Sequence, residues 1–256
     1  MTLMKSLPQL AAVMVMLLLS SGAYAQLPEE IQWKHLVKTY TADSTQLVLS
    51  LNGKPLQGKY KIPLDEKSFA LYDINKGMIT GEAFWYTNGG NLECKLHYRR
   101  GVRDGLKENY DNNGQVWLRQ EYKGGRQNGI SEMYNGGRLV NKSEYKDGKK
   151  HGLFLTYAGD RLSTESSYEN DQRNGVSKTY GPDGQVITET NYVDDLKSGL
   201  SISYMMGKKN MESTFKNDKK HGISRMYKPD GTLLFESYFL LGQKVTKAEF
   251  EKYEDN

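Results

Sequence analysis

Tyr145-Lys-Asp-Gly-Lys-Lys-His-Gly152-Leu-Phe-Leu-Thr-Tyr157-Ala-Gly-Asp160 decides the fold. It holds a tyrosine, a turn-like Lys-Asp-Gly, a second glycine and a short apolar stretch that ends in another tyrosine. The chain repeats this arrangement. With Gly152 as anchor, equivalent glycines stand at Gly58, Gly81, Gly105, Gly129, Gly175, Gly199 and Gly222, 23 or 24 residues apart. Five residues past the anchor an aromatic recurs, at Tyr86, Tyr110, Tyr134, Tyr157, Tyr180, Tyr204 and Tyr227. Seven residues before it stand Tyr98, Tyr122, Tyr145, Tyr168 and Tyr192, with Phe215 in the same slot. A fixed period of this length marks a stacked repeat architecture.

The one-residue difference in period has a local cause. Repeats of 24 carry Asp111-Asn112-Asn113-Gly114 or Gly181-Pro182-Asp183-Gly184 after the tyrosine, and repeats of 23 carry Asn135-Gly136-Gly137, Ala158-Gly159-Asp160 or Met205-Met206-Gly207. Length changes in the turn while strand register is kept, as hairpins behave. Between turns the side chains alternate. Leu153, Leu155 and Tyr157 share one side, with Phe154 and Thr156 opposite; Leu200, Ile202 and Tyr204 share one side, with Ser201 and Ser203 opposite. On a return strand Val186, Thr188, Thr190 and Tyr192 fall together. Each repeat is therefore expected to be a β-hairpin with one apolar-aromatic face. A lone hairpin is marginal in water, so neighbours must stack.

Composition agrees. The 256 residues include 26 Gly, 18 Tyr and only 6 Pro, a β-type balance, and 37% hydrophobic residues, too few for a thick two-sided core. Lys+Arg 35 against Asp+Glu 31 gives +4, a mild balance that argues against a dedicated nucleic-acid binder. A single Cys excludes an internal disulfide and a cysteine-based zinc site.

The quoted stretch resembles a MORN repeat. Its spacing, Tyr-x-x-Gly-x-x-x-Gly-x-x-x-x-Tyr with a further Gly or Asp three or four residues on, is most similar to the bacterial MORN variant found in YwqK-type toxin–antitoxin system antitoxins. The resemblance spans roughly residues 51–245. Leu51-Asn-Gly-Lys-Pro-Leu-Gln-Gly58 fits its start with Leu51 in the aromatic slot, whereas residues 59–80 depart, with Pro63 in place of the tyrosine. The resemblance implies an all-β fold: an elongated, twisted, antiparallel single-layer sheet of about eight MORN-like hairpins with small N- and C-terminal caps. It also carries an expectation of toxin neutralisation. MORN repeats in eukaryotes are linked with acidic phospholipids.

The ends divide from the array. Lys5, the apolar run Leu10–Leu19, Ser20-Ser21-Gly22 and Ala23-Tyr24-Ala25 read as a Sec-type signal peptide over residues 1–25, cleaved between Ala25 and Gln26. A secreted or periplasmic protein is expected, with no membrane span after the leader and no lipoprotein cysteine. Residues 26–50 read as an N-terminal cap, residues 51–245 as the array and residues 246–256 as a capping helix. Thr246 and Glu249 have capping-box spacing, and the helix is expected to cover the last strand edge.

Chemical motifs are sparse. His151 and His221 occupy the slot before the anchor that Asp104, Asn128, Asn174 and Ser198 fill elsewhere, a polar turn slot. Cys94 sits in an apolar row with Leu92, Leu96 and Tyr98, while His97 points to the other side of that strand. No nucleophile elbow, phosphate loop or His-Glu-x-x-His occurs. No catalytic residue, cofactor or metal is assigned, and a binding or scaffold role is expected, with a protein or peptide as partner, or an anionic envelope surface. The candidate docking residues are the two aromatic rows. A candidate basic edge gathers Arg99, Arg100, Arg103, Lys123, Arg126, Lys146, Lys149, Lys150, Lys216, Lys219 and Lys220.

Overall fold

The structure, a computed structural model, describes residues 28–41 and 46–254; the signal-peptide segment lies outside the described residues. From β5 (Gly58–Pro63) to β20 (Leu233–Leu240) and the short β21 (Gln243–Val245), each strand pairs antiparallel with the next in sequence. The result is one long open sheet of hairpins with almost no helix. At its N-terminal edge β1 (Glu29–Glu30) is added parallel to β5. At the other end α1 (Lys247–Glu254) follows β21.

Tight two-residue turns form one long edge of the sheet. Gly124-Gly125, Asp147-Gly148, Asn170-Asp171, Asp194-Asp195 and Asn217-Asp218 all have positive φ at both positions, which identifies type I′ turns. Each turn also hooks onto the strand before its hairpin. The Asp195 N–H donates to the Arg173 carbonyl at 3.0 Å, and the Asp195 carboxylate accepts the Arg173 N–H at 3.0 Å. Asp171 with Lys150, and Asp218 with Lys197, repeat this reciprocal pair. Aspartate tolerates the left-handed backbone and adds a bond that glycine cannot make.

The anchor glycines lie inside strands, not before them. Gly152 sits in β13 (Lys149–Ala158), where residues 151–153 bulge opposite the single residue Glu144. Its φ is +99°, and a Cβ there would stand 3.1 Å from the Glu144 Cβ and closer still to its carboxylate. Backbone strain and crowding thus both select glycine. His151 and His221 accordingly lie within strands beside these bulges, and the turn slot expected for them is corrected.

Among the described residues, the cluster of buried apolar side chains lies at the N-terminal end. There β2 (Val37–Tyr40), β3 (Leu47–Leu51) and β4 (Lys54–Pro55) form a separate small sheet. Leu51, placed by sequence at the start of the array, belongs to this sheet. Leu36, Leu49 and Leu56 pack onto Tyr60, Ile62, Ala70, Tyr72, Ile74 and Ala83 of the first long strands. Gly77 allows the contact. Its N–H donates to the Leu56 carbonyl and its carbonyl accepts the Leu49 N–H, each at 2.8 Å, and a Cβ would come within 2.6 Å of Val48. Residues 59–80, which depart from the repeat pattern, still form a hairpin, because Asp65 caps the loop by accepting the Lys67 and Ser68 N–H groups. Their departures supply the apolar side chains that the cap needs.

Beyond the cap, small hydroxyl residues replace a core. Ser131, Ser143, Ser166, Ser177, Thr190, Ser201, Ser213, Ser224 and Ser237 line up strand by strand along the middle of the side that the cap covers further up, interrupted once by Phe154 between Ser143 and Ser166. Ser131, Ser143, Thr190, Ser213, Ser224 and Ser237 are buried. Hydroxyls bond across the tight-turn hairpins, Ser177 to Ser166 at 2.5 Å, Thr190 with Ser201 at 2.8 Å and Ser213 with Ser224 at 2.6 Å. Across the wider-turn hairpins the bonds shift one row out, to Thr156 with Thr164 and Thr179 with Thr188. Each such bond contributes about 0.5–1.5 kcal/mol. This polar spine is why so low an apolar content suffices.

Candidate binding faces

The two aromatic rows lie on opposite faces, which corrects the single apolar-aromatic face expected from alternation. Tyr168 pairs with Gly152 on the same side as Ser166, the cap face. Tyr98, Tyr122, Tyr145, Tyr192 and Phe215 pair likewise with Gly81, Gly105, Gly129, Gly175 and Gly199. Tyr157 and its equivalents Tyr86, Tyr110, Tyr134, Tyr180, Tyr204 and Tyr227 alternate to the other side, the face on which α1 packs. A one-residue bulge at the wide turn, such as Thr156↔Thr164 followed by Tyr157↔Leu162, switches the phase between the strands of each hairpin. All thirteen rings are half-buried.

On the cap face the aromatics alternate with cations. Arg173 pairs in register with Tyr168 and lies 4.1 Å from the Tyr192 ring; Lys197 lies 5.5 Å from Phe215 and Lys220 5.0 Å from Phe239. Lys150 stands over Phe154 and Tyr168, and Arg103 over Tyr122. Three members of the candidate basic edge, Arg103, Lys150 and Lys220, are therefore ring partners. Arg173 and Lys197 do the same work and were missed by sequence reading, although a cation two residues before the anchor was the available signal. Such contacts contribute about 0.5–1 kcal/mol each when exposed.

The helix face carries an alternating charge ladder that the sequence reading also missed. Glu108, Arg119, Glu132 and Lys142 stand on successive strands, followed further along by Glu165, Lys178 and Glu189, and by Glu212, Arg225 and Glu236. Arg119 lies 2.9 Å from Glu108, Lys142 3.1 Å from Glu132, and Arg225 3.1 Å from Glu212 and 3.3 Å from Glu236. The tyrosines close over it: the hydroxyls of Tyr110, Tyr134, Tyr180, Tyr204 and Tyr227 each donate to a ladder glutamate. Burial, reinforced by the Glu108 carboxylate, pushes the Tyr110 phenol up to about 12. Bonds from Lys209 and Tyr227, with Arg225 beside them, hold the Glu212 carboxyl down to about 2 despite its partial burial. Beside the ladder runs an apolar row one residue past each anchor from Gly105 to Gly222; Leu106, Leu153 and Leu200 in it are 38%, 41% and 37% exposed.

The rest of the basic edge lines the tight turns. Lys123 faces Arg126, Lys146 faces Lys149 and Lys216 faces Lys219 across their hairpins, and all six are exposed. Arg99 and Arg100 are exposed at the neighbouring turn, with Arg99 paired to Asp104 at 2.6 Å. Cys94 is free and half-buried between Trp85 and Asn109, and burial raises its thiol. Among the described residues no cluster of three or more His, Cys, Asp or Glu is placed to hold a metal ion, and no helix is long and apolar enough to cross a membrane.

A family model described as a MORN repeat variant matches residues 103–123 and 173–194. Both matches begin at a ring-stacked cation and contain one anchor glycine and one tyrosine of each row. The same geometry repeats between and beyond the two matched stretches, which supports a MORN-type repeat array. No curated protein matches the chain.

Proposed function

We propose that this array is a non-catalytic scaffold, working outside the cytoplasm, that binds a partner protein along its helix face. MORN repeats commonly serve as protein- or membrane-binding modules. One observation carries the choice of face. The helix face offers an apolar side chain, a tyrosine and charged groups once per repeat, spaced about 10 Å apart by two strand widths. Among the described residues only α1, at one end, covers any of it. Tyrosine with a polar tip is favoured at interfaces. The test replaces Leu106, Leu153 and Leu200 together with glutamate, positions exposed enough to accept it. Capture of a partner from the native envelope fraction is expected to be lost while the circular dichroism spectrum is kept. Unchanged capture rejects this face. Neutralising a toxin would be one form of such binding, and the same triple variant should then fail to protect cells. Export is tested by mass spectrometry of the mature N-terminus, expected at Gln26.

The stacked cross-strand pairs Lys123 with Arg126, Lys146 with Lys149 and Lys216 with Lys219 favour a second reading, attachment to an anionic envelope surface. Binding to vesicles rich in anionic lipid, weakening as salt rises, would support it. Equal binding to neutral vesicles would reject it.

A further inference from the structure

The C-terminal end of the array stops in the middle of a repeat. In β21, Lys244 pairs with Phe239, which continues the aromatic–cation alternation of the cap face, and Thr246 follows where the next anchor glycine is due. Thr246 instead opens α1: its hydroxyl accepts the Glu249 N–H at 3.3 Å, and the Glu249 carboxylate accepts the Thr246 N–H at 2.8 Å. The helix then runs inward over the sheet, with Phe250 against Tyr238 and Tyr253 against His221. It packs on a face and leaves the edge open, contrary to the edge cover expected from sequence. The strand β21 reaches only Tyr238, Phe239 and Leu240. Among the described residues no strand pairs with the outer side of Leu233–Ser237.

That open edge is lightly protected. Leu233, Leu234 and Phe235 are 48%, 51% and 50% exposed, the stretch contains neither Pro nor Lys, and its one charge, Glu236, is paired inward with Arg225 at 3.3 Å. Natural sheets normally blunt such an edge with charge, proline or a cover. The opposite edge of this sheet shows those devices, in β1, Pro63 and the cap.

We propose that Leu233–Ser237 is a strand-addition site that takes an extended, antiparallel segment of a partner protein with the pattern small hydroxyl, basic, apolar. This rests on the binding-scaffold reading and names a site within it. Three rows end at this edge and set the pattern. Ser213 and Ser224 lead to Ser237, Glu212 and Arg225 lead to Glu236, and Met211 and Met226 lead to Phe235. The next rungs are therefore a small hydroxyl residue, a cation and an apolar residue, in the order that Ser224-Arg225-Met226 already presents to Ser237, Glu236 and Phe235. Main-chain bonds would give affinity and these three contacts specificity. A second copy of this chain fits less well. Antiparallel self-pairing over Leu233–Ser237 centres on Phe235 and sets Glu236 against Leu234, with no cation opposite.

The experiment uses the whole protein and a fluorescent peptide, Lys-His-Gly-Ile-Ser-Arg-Met-Tyr-Lys, copied from residues 220–228. Anisotropy should show saturable binding, and hydrogen exchange should slow at the amides of Leu233–Ser237. Phe235→Lys should weaken binding at least tenfold. Glu236→Lys should do the same, and a peptide with Glu in place of its Arg should then recover it. Circular dichroism of both variants should match the parent. Absence of peptide binding, or binding that neither variant weakens, overturns the proposal. A dimer in sedimentation that Phe235→Lys dissociates also overturns it, in favour of self-pairing. The helix-face reading fails separately: if the leucine triple variant keeps partner capture while Phe235→Lys loses it, the edge stands and the face falls.

Discussion

Replacing Glu212 with glutamine tests whether the charge ladder stabilises the array or merely decorates it. The carboxylate receives Lys209 at 2.8 Å, the Tyr227 hydroxyl at 2.7 Å and Arg225 at 3.1 Å, and its side chain is only 12% exposed. Its carboxyl is lowered from 4.5 to about 2, led by the Lys209 bond. At 1.36 kcal/mol per pH unit that corresponds to a ceiling of about 3.4 kcal/mol. Lys209 and Arg225 are 41% and 37% exposed, so water screens them, and about 1.5–2.5 kcal/mol is the expected loss at pH 7. Because the folded-state value is depressed, this stability is present above the unfolded value near 4.5 and is lost as pH falls towards 2. Glu212→Gln should therefore be less stable than the parent at pH 7, and the difference should shrink below about pH 4.5 and close only at about pH 2 and below. Hydrogen exchange at the amides of 211–227 reads the effect locally, as suits an array in which each repeat contacts only its neighbours. A difference under about 0.5 kcal/mol at pH 7, or one that does not shrink on acidification, refutes the reasoning and returns the ladder to the ordinary value of surface ion pairs.

Gly152→Ala should cost about 1–3 kcal/mol in urea denaturation, because φ of +99° strains any side chain. Leu49→Ala, at a fully buried position, should cost about 2–5 kcal/mol and loosen the cap, while exchange in the distal repeats stays unchanged. Small-angle scattering should give a radius of gyration near ~24 Å, since seventeen sequential strands at ~4.8 Å make a rod of about 80 Å. A compact chain of about 230 residues would give ~17 Å, and that value would mean the sheet folds over.

The period and the turns were legible because they are local. Gly, Asp and Asn stand where positive φ is needed, and each tyrosine stands at a fixed distance from its glycine. The partition of the rows between faces was not legible, because it depends on a bulge. Counting by two from Val186 to Tyr192 is correct within that strand, yet Val186 pairs with Tyr180, a residue of the other row. The charge ladder was hidden for the same reason: Glu165 and Lys178 are neighbours only through a turn and a register shift. The cap core escaped notice because Leu49, Ile62 and Ile74 lie in stretches that do not follow the repeat. Candidate residues on the basic edge were found as charges, but which of them stack on rings required knowing that the position two residues before the anchor lies on the cap face beside the aromatic row.

The tight-turn meander also determines how the molecule takes load. Its strands run across the long axis and its ladders follow one another in series. Tension applied at the two ends would meet one hairpin at a time, as a zipper does. Each repeat of 23 or 24 residues that peels away would release roughly 80 Å of chain at ~3.4 Å per residue. The hooks at Asp171, Asp195 and Asp218, which tie each turn to the strand before it, would set the height of successive steps. Under tension such an array would lengthen by whole repeats, because each repeat holds only to its neighbours.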